Sequence, residues 1–114
     1  MMRIESMPSM YDASDASAGD ICVSVAGRDI GKVFMIISVL KEDYVLLCDG
    51  SEKMLMRPKL KKKRHIRILA KVNKKMLDGN ENVAEALSKW SKYDFSVLKA
   101  RYYKPKRGDC SAEG

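Results

Sequence analysis

The chain has 114 residues, with 22 Lys and Arg against 15 Asp and Glu, and a net charge of +7. That length suits one domain with short appendages, and the positive surplus favours polyanionic partners, nucleic acid first and an anionic membrane surface as the usual rival. The longest apolar run, residues 33–37, is far short of the roughly 20 residues that span a bilayer, and Cys22, Cys48 and Cys110 lack any C-x-x-C spacing, which argues against a disulfide framework or a zinc site.

Charge divides the chain into three segments. Residues 1–18 carry Arg3 against Glu5, Asp12 and Asp15 and are rich in Ser, Ala, Asp and Met without a sustained period. A segment of that kind buries too little apolar area to offset its conformational entropy, so a disordered N-terminal tail is expected. No basic stretch leads into an apolar one there, so no secretory signal is read and a cytoplasmic location is expected.

Residues 19–71, with 12 bases against 6 acids, read as strands. Ile21, Val23 and Val25 alternate with Asp20, Cys22 and Ser24, the period of a half-buried strand. The loop AGRDIG follows, then KVFMIISVL, a nearly continuous apolar and β-branched run that suits a long strand. Lys41, Glu42 and Asp43 make a polar turn, Tyr44 to Cys48 a third strand, and Asp49-Gly50 a hairpin signal. A short strand is expected over Lys53 to Arg57, ended by Pro58, and a last one over His65 to Leu69 beyond a basic loop. Five short strands in about fifty residues predict a small closed or nearly closed barrel, because closure removes the edges that invite aggregation.

Residues 72–114 are expected to form a helical C-terminal extension and tail. Asn82 followed by Glu85 resembles a capping box, and Val83, Ala86, Leu87 and Trp90 then share one helix face. A second helix is expected from Asp94, with Phe95, Leu98 and Tyr102 on one side and Pro105 as its end.

Two features suggest a binding surface. In the loop AGRDIGK, residues 26–32, Gly27 and Gly31 allow a sharp turn and a close backbone approach, so that N–H groups face a phosphate beside Arg28 and Lys32. Asp29, an acceptor only, is expected to cap the turn or orient Arg28. The plainer reading is a strand-to-strand turn with solvated charges. In RPKLKKKRHIR, residues 57–67, Arg57, Lys59, Lys61, Lys62, Lys63, Arg64 and Arg67 place seven bases in eleven residues without an acid. Such density self-repels unless a polyanion neutralises it, so the bare stretch is expected to be mobile. A nuclear-import signal is a further reading of this stretch. His65, the sole histidine, has no titratable cluster beside it in sequence and is read as a stacking or hydrogen-bonding side chain at the patch edge. Tyr102 and Tyr103, among Lys99, Arg101, Lys104, Lys106 and Arg107, are candidates for base stacking. No phosphate-binding P-loop, nucleophile elbow or HExxH metal motif appears, so an enzyme is not expected.

The run over residues 19–50 resembles a KOW motif, and PKLKKKRHI, residues 58–66, is similar to the basic element that follows it in KOW-domain RNA-binding proteins. The nearest likeness is to bacterial relatives of the KOW-bearing large-subunit ribosomal proteins of archaea and eukaryotes. The resemblance implies an SH3-like β-barrel and RNA as partner, ribosomal RNA within a ribosomal particle, with no cofactor, membrane or small-molecule substrate. Gly27, Arg28, Gly31, Lys32, Arg57, Lys59, Lys61, Lys62, Lys63, Arg64, His65 and Arg67 are the expected contacts, and Ile30 stands where such loops commonly carry a base. KOW barrels similar to this also occur in transcription elongation factors, which makes a module contacting polymerase or another protein the alternative.

Overall fold

The computed structural model describes residues 7–41, 43–51, 53, 56–72 and 77–103. Strands β1 (Ile21–Ser24), β2 (Val33–Leu40), β3 (Tyr44–Cys48), β4 (Lys59–Lys62) and β5 (Ile66–Ala70) form an antiparallel sheet in the order β4-β3-β2-β1-β5. The order follows from short connections that turn each strand back beside its predecessor, until β5 crosses to the far side of β1.

The expected SH3-like closed barrel is not formed. β4 and β5 are the two edges of an open sheet, and no strand pairing joins them among the described residues. The free edge of β5 is taken instead by the N-terminal segment: Tyr11 N–H donates to the Ile68 carbonyl at 2.9 Å, and Ile68 N–H donates back at 2.6 Å. β4 is only four residues long and is followed at once by a 3-10 turn at Lys63–His65. Its outer edge is therefore guarded by lysines rather than by a partner strand.

The fourth strand also lies later than its sequence pattern predicts. It is the basic stretch itself, Lys59–Lys62, that joins the sheet, so this part of the expected mobile loop is ordered by pairing with β3. Lys53, Met56 and Arg57 occupy bends and a turn, and Met54 and Leu55 lie outside the described residues.

Both faces of the sheet are covered at its centre. On one, Ile21, Val23, Met35, Cys48 and Leu69 pack against Val83, Ala86, Phe95 and Leu98. These last four come from α1 (Asn80–Ser88), from a 3-10 turn at Phe95–Val97, and from α2 (Leu98–Tyr102). On the other, Cys22, Phe34, Ile36, Val45, Leu47, Ile66 and Ile68 pack together with Ala13 of the N-terminal segment. Central β1 is thus buried on both sides, which is why its polar-looking positions Cys22 and Ser24 are as buried as Ile21 and Val23.

Residues 7–18, expected to be free, are tied down in this way. The carboxylate of Asp20, itself buried, accepts from Ser17 N–H at 2.9 Å and from Lys71 Nζ at 2.7 Å, and Lys71 also donates to the Asp15 carbonyl. α1 starts three residues earlier than its capping-box reading, with Gly79 rather than Asn82 at the cap, yet its buried face is the expected one, with Val83 and Ala86 against the sheet. Asp94 caps the second helical segment by accepting from Ser96 N–H at 3.1 Å. Pro105, its expected end, lies outside the described residues.

Two glycines hold the helical layer close. A Cβ at Gly31 would stand 2.8 Å from the Phe95 carbonyl oxygen, and one at Gly50 would overlap the Asn80 carbonyl and stand 2.7 Å from Ala84 N. Both residues have positive φ, 92° and 81°. Gly27, at φ 84°, meets only the Lys61 Nζ and Asp29 carboxylate ends at 3.5 and 3.8 Å. Replacement by Ala therefore costs all three about 1–2 kcal/mol of backbone strain, with a backbone clash added at Gly31 and Gly50 alone. Urea denaturation is expected to rank Gly50→Ala and Gly31→Ala as clearly less stable than Gly27→Ala.

Candidate nucleic-acid interface

The register of β4 on β3 decides what each base of the basic stretch does. Lys59 pairs with Leu47 and Lys61 with Val45, so both lysines share the face that carries the second core cluster. Lys62 pairs with Tyr44 and Leu60 with Leu46, on the opposite face. A lysine above a core can run its alkyl stem over apolar atoms, but its ammonium must find a partner. Lys61, with 8% of its side chain exposed, finds two in the loop after β1: Asp29 Oδ1 at 2.6 Å and the Ala26 carbonyl at 2.7 Å.

Asp29 is the hub of that contact. Its Oδ1 also accepts from Ser24 Oγ at 2.7 Å, while Oδ2, which accepts no hydrogen bond, lies 3.4 Å from Lys59 Nζ. Burial works to raise the Asp29 pKa, but the hydrogen bonds from Lys61 and Ser24 and the charges of Lys61 and Lys59 outweigh it, so the carboxyl titrates below its ordinary range. Asp29 therefore binds β4 to the loop, rather than orienting Arg28 as its sequence position suggests.

The glycine-bracketed loop and the basic stretch are brought together by these bonds and by Val25 N–H, which donates to the His65 carbonyl at 2.9 Å. The loop is not a ready phosphate cradle, however. Its Ile30, Gly31 and Lys32 amides donate to the carbonyls of Gly27, Ser24 and Asp29 at 3.4, 2.9 and 2.9 Å. Gly31 approaches the backbone at Phe95 rather than an open surface. Lys32 pairs with Asp49 at 3.1 Å and sits 5.6 Å from the Phe34 ring centre.

Arg67 is likewise turned to its own chain. Its Nη1 donates to the carbonyls of Ile66 at 2.9 Å and Arg64 at 3.2 Å, and its guanidinium lies 5.5 Å from the Tyr102 ring centre. This leaves Tyr103, exposed in a cleft with Gly27, Arg28, Lys99 and Ala100, as the accessible member of the tyrosine pair. Lys104, Lys106 and Arg107 lie outside the described residues.

Arg28, Arg57, Lys62, Lys63 and Arg64 have no ion-pair partner among the described residues. Arg57 stands in a bend ahead of β4. Lys62, Lys63 and Arg64 line a cleft with Asp12, Ser14, Asp43 and Tyr44, and Lys62 and Tyr44 also line the adjoining one, with Lys59, Leu60 and His65. Burial, and then the positive charges of Arg64, Lys61 and Lys62, hold the His65 pKa below its ordinary value, which disfavours the imidazolium form. Tyr44 was visible in the sequence only as one aromatic among several; its place opposite Lys62 comes from the strand register.

Cys22 and Cys48 are buried, and burial pushes the Cys22 thiol far up and that of Cys48 to about 11. Among the described residues there is no cluster of His, Cys, Asp or Glu that could hold a metal ion, and no helix is long and apolar enough to cross a membrane. No protein-family model matches the chain, and no curated protein matches it.

Asp29→Asn would leave the Lys61 ammonium buried without its counter-charge, a loss of up to about 3–5 kcal/mol by comparison with broken buried pairs. Because the folded pKa of Asp29 is depressed, its contribution is present above the unfolded carboxyl value of about 3.9 and is lost as pH falls through the folded one. Chemical denaturation from pH 7 down to strong acid is expected to show part of the wild-type acid slope missing in the variant.

Proposed function

We propose that this protein is a non-catalytic RNA-binding protein that acts in the cytoplasm on ribosomal RNA, on or near the ribosomal particle. The observation that carries the reading is the group Lys62, Lys63 and Arg64, three adjacent bases without an acid partner among the described residues. They sit at the end of a strand that Lys61 and Asp29 fasten to the Arg28 loop. The likeness of residues 19–50 and 58–66 to the KOW motif and its basic element points to the same partner. It is a likeness of motif and not of a closed barrel.

Binding on this reading is electrostatic docking. Lys62, Lys63, Arg64 and Arg28 take phosphates, while Lys59, Lys61, Lys32 and Arg67 hold the surface in shape from within. Each phosphate neutralised releases counterions, so affinity falls with salt at a log–log slope of roughly 0.7–0.9 per contact. Most contacts of this kind read backbone and shape rather than base identity. The rival partner, a polymerase or other protein, is distinguished by co-purification: ribosomal particles support the proposal, polymerase without RNA opposes it.

Replacing Lys62, Lys63 and Arg64 together by Gln is expected to lower RNA affinity and to flatten the salt slope by about 2–3, with the unfolding midpoint unchanged. Fluorescence anisotropy across a salt series measures both, and an unaltered slope contradicts the proposal. His65 adds a pH signature. Burial and then the charges of Arg64, Lys61 and Lys62 depress its pKa; phosphates beside Arg64 and Lys62 would relieve the second of these, so the complex takes up a proton and affinity grows on acidification towards the depressed value of the free protein. His65→Asn is expected to remove that rise.

A further inference from the structure

The helical layer covers only part of the sheet face on which it lies. Beyond it, two cross-strand rows run over β2, β3 and β4: Leu40, Tyr44 and Lys62 in register, and beside them Ser38, Leu46 and Leu60. Leu40 is 39% exposed, Tyr44 37% and Leu60 56%. β4 is thus inverted, with lysines above the core and a leucine facing outward. Inward charge on an edge strand is a known guard against strand addition, but that does not account for the outward leucine next to an outward tyrosine.

The surroundings of this apolar patch are cationic. Tyr44 forms a wall of both clefts that hold Lys62, with Lys63 and Arg64 on one side and Lys59 and His65 on the other. Asp12 and Asp43 are the acids in these two linings. An apolar protein partner would bury the charges of Lys62, Lys63 and Arg64, which are unpaired among the described residues, without compensation. A nucleic-acid strand matches both features at once, offering an apolar base face bonded to anionic phosphates. A duplex cannot do so, because stacking conceals its base faces.

Resting on the RNA-binding reading above, we infer that the strand held here is unpaired where it crosses the sheet, and that one of its bases lies on the Tyr44 ring against Leu60. Lys62, in register beside the ring, takes a phosphate of the same nucleotide or its neighbour. Arg64 and Lys63 carry the strand onward from the turn. The site therefore selects single-stranded loops or ends over continuous helix, without demanding a particular base.

The test compares an oligouridine with an RNA duplex of equal length, by anisotropy at fixed salt. The wild type is expected to bind the single strand more tightly. Tyr44→Val, which preserves strand propensity, is expected to lose about tenfold or more on the single strand, with duplex affinity and salt slope unchanged. Tyr44→Phe is expected to bind as the wild type does. Leu60→Thr leaves the tyrosine in place and is expected to cost several-fold on the single strand only, which keeps the inference testable should Tyr44→Val unfold. Equal losses on both RNA forms, or none on either, overturn the inference. If those variants are silent while the Lys62, Lys63 and Arg64 replacement still weakens binding, the RNA-binding reading stands without the stacking site. If the triple replacement is silent too, both fall, and a protein that co-purifies with the wild type but not with Tyr44→Val would mark the patch as its docking site instead.

Discussion

The ion pair between Lys61 and Asp29 is the constraint on which the placement of β4 and its basic end depends. Without it, β4 would be a four-residue edge strand held by one neighbour, β3, and carrying dense positive charge. With it, the far edge of the sheet is fastened to the loop after β1, so the sheet curls without closing. The pair is stable because Asp29 receives three kinds of support at once: a short ammonium contact, a serine hydroxyl and the second charge of Lys59. Desolvation opposes it, and the depressed titration of Asp29 records which side prevails. Removing either partner alone forfeits that balance, since the survivor stays buried.

Glycine and the chain ends serve the same compaction. A five-stranded sheet in a chain this short has little interior of its own, and both of its faces need outside cover. Gly31 and Gly50 let the segment over residues 80–98 come within contact of the loops, and Val83, Phe95 and Leu98 fill the space beneath. Burying each such side chain is worth about 1.5–3 kcal/mol relative to leaving it exposed. Tyr11, Ala13 and the Asp20–Lys71 pair do the equivalent for the N-terminal segment. The glycines that a motif reader assigns to a ligand are therefore divided: Gly31 serves packing, and Gly27 alone of the two faces solvent.

What could be read in advance follows from how local each signal is. β1, β2, β3 and β5 announce themselves by β-branched, apolar or alternating residues, and the buried face of α1 by its 3.6 period, because these depend on a few neighbours in sequence. β4 does not, because KLKK presents neither an apolar alternation nor a turn. The order of residues 7–18 and the failure to close both depend on which segment captures the edge of β5. That is a contest between distant parts of the chain, and composition is silent on it. The candidate contacts fared similarly. Seven bases in residues 57–67 look alike, and nothing nearby separates Lys61 from Lys62. A shift of one residue in the pairing of β4 on β3 would exchange their roles.

That exchange explains how one short strand can bear two incompatible duties. A charged side chain that holds a fold must be paired and desolvated, and one that greets a polyanion must be unpaired and wet. Along a strand these requirements alternate at no cost in length, because successive residues point to opposite faces. Lys59 and Lys61 take the first duty, and the second is the one we propose for Lys62, next to the turn that exposes Arg64. The internal pair also removes like charge from the surface beneath the outward-facing bases, since Asp29 neutralises part of what Lys59 and Lys61 would add to the local repulsion. The outward group is thus held in one place by the chain itself, so on the proposed reading a docking strand would not also have to order those bases.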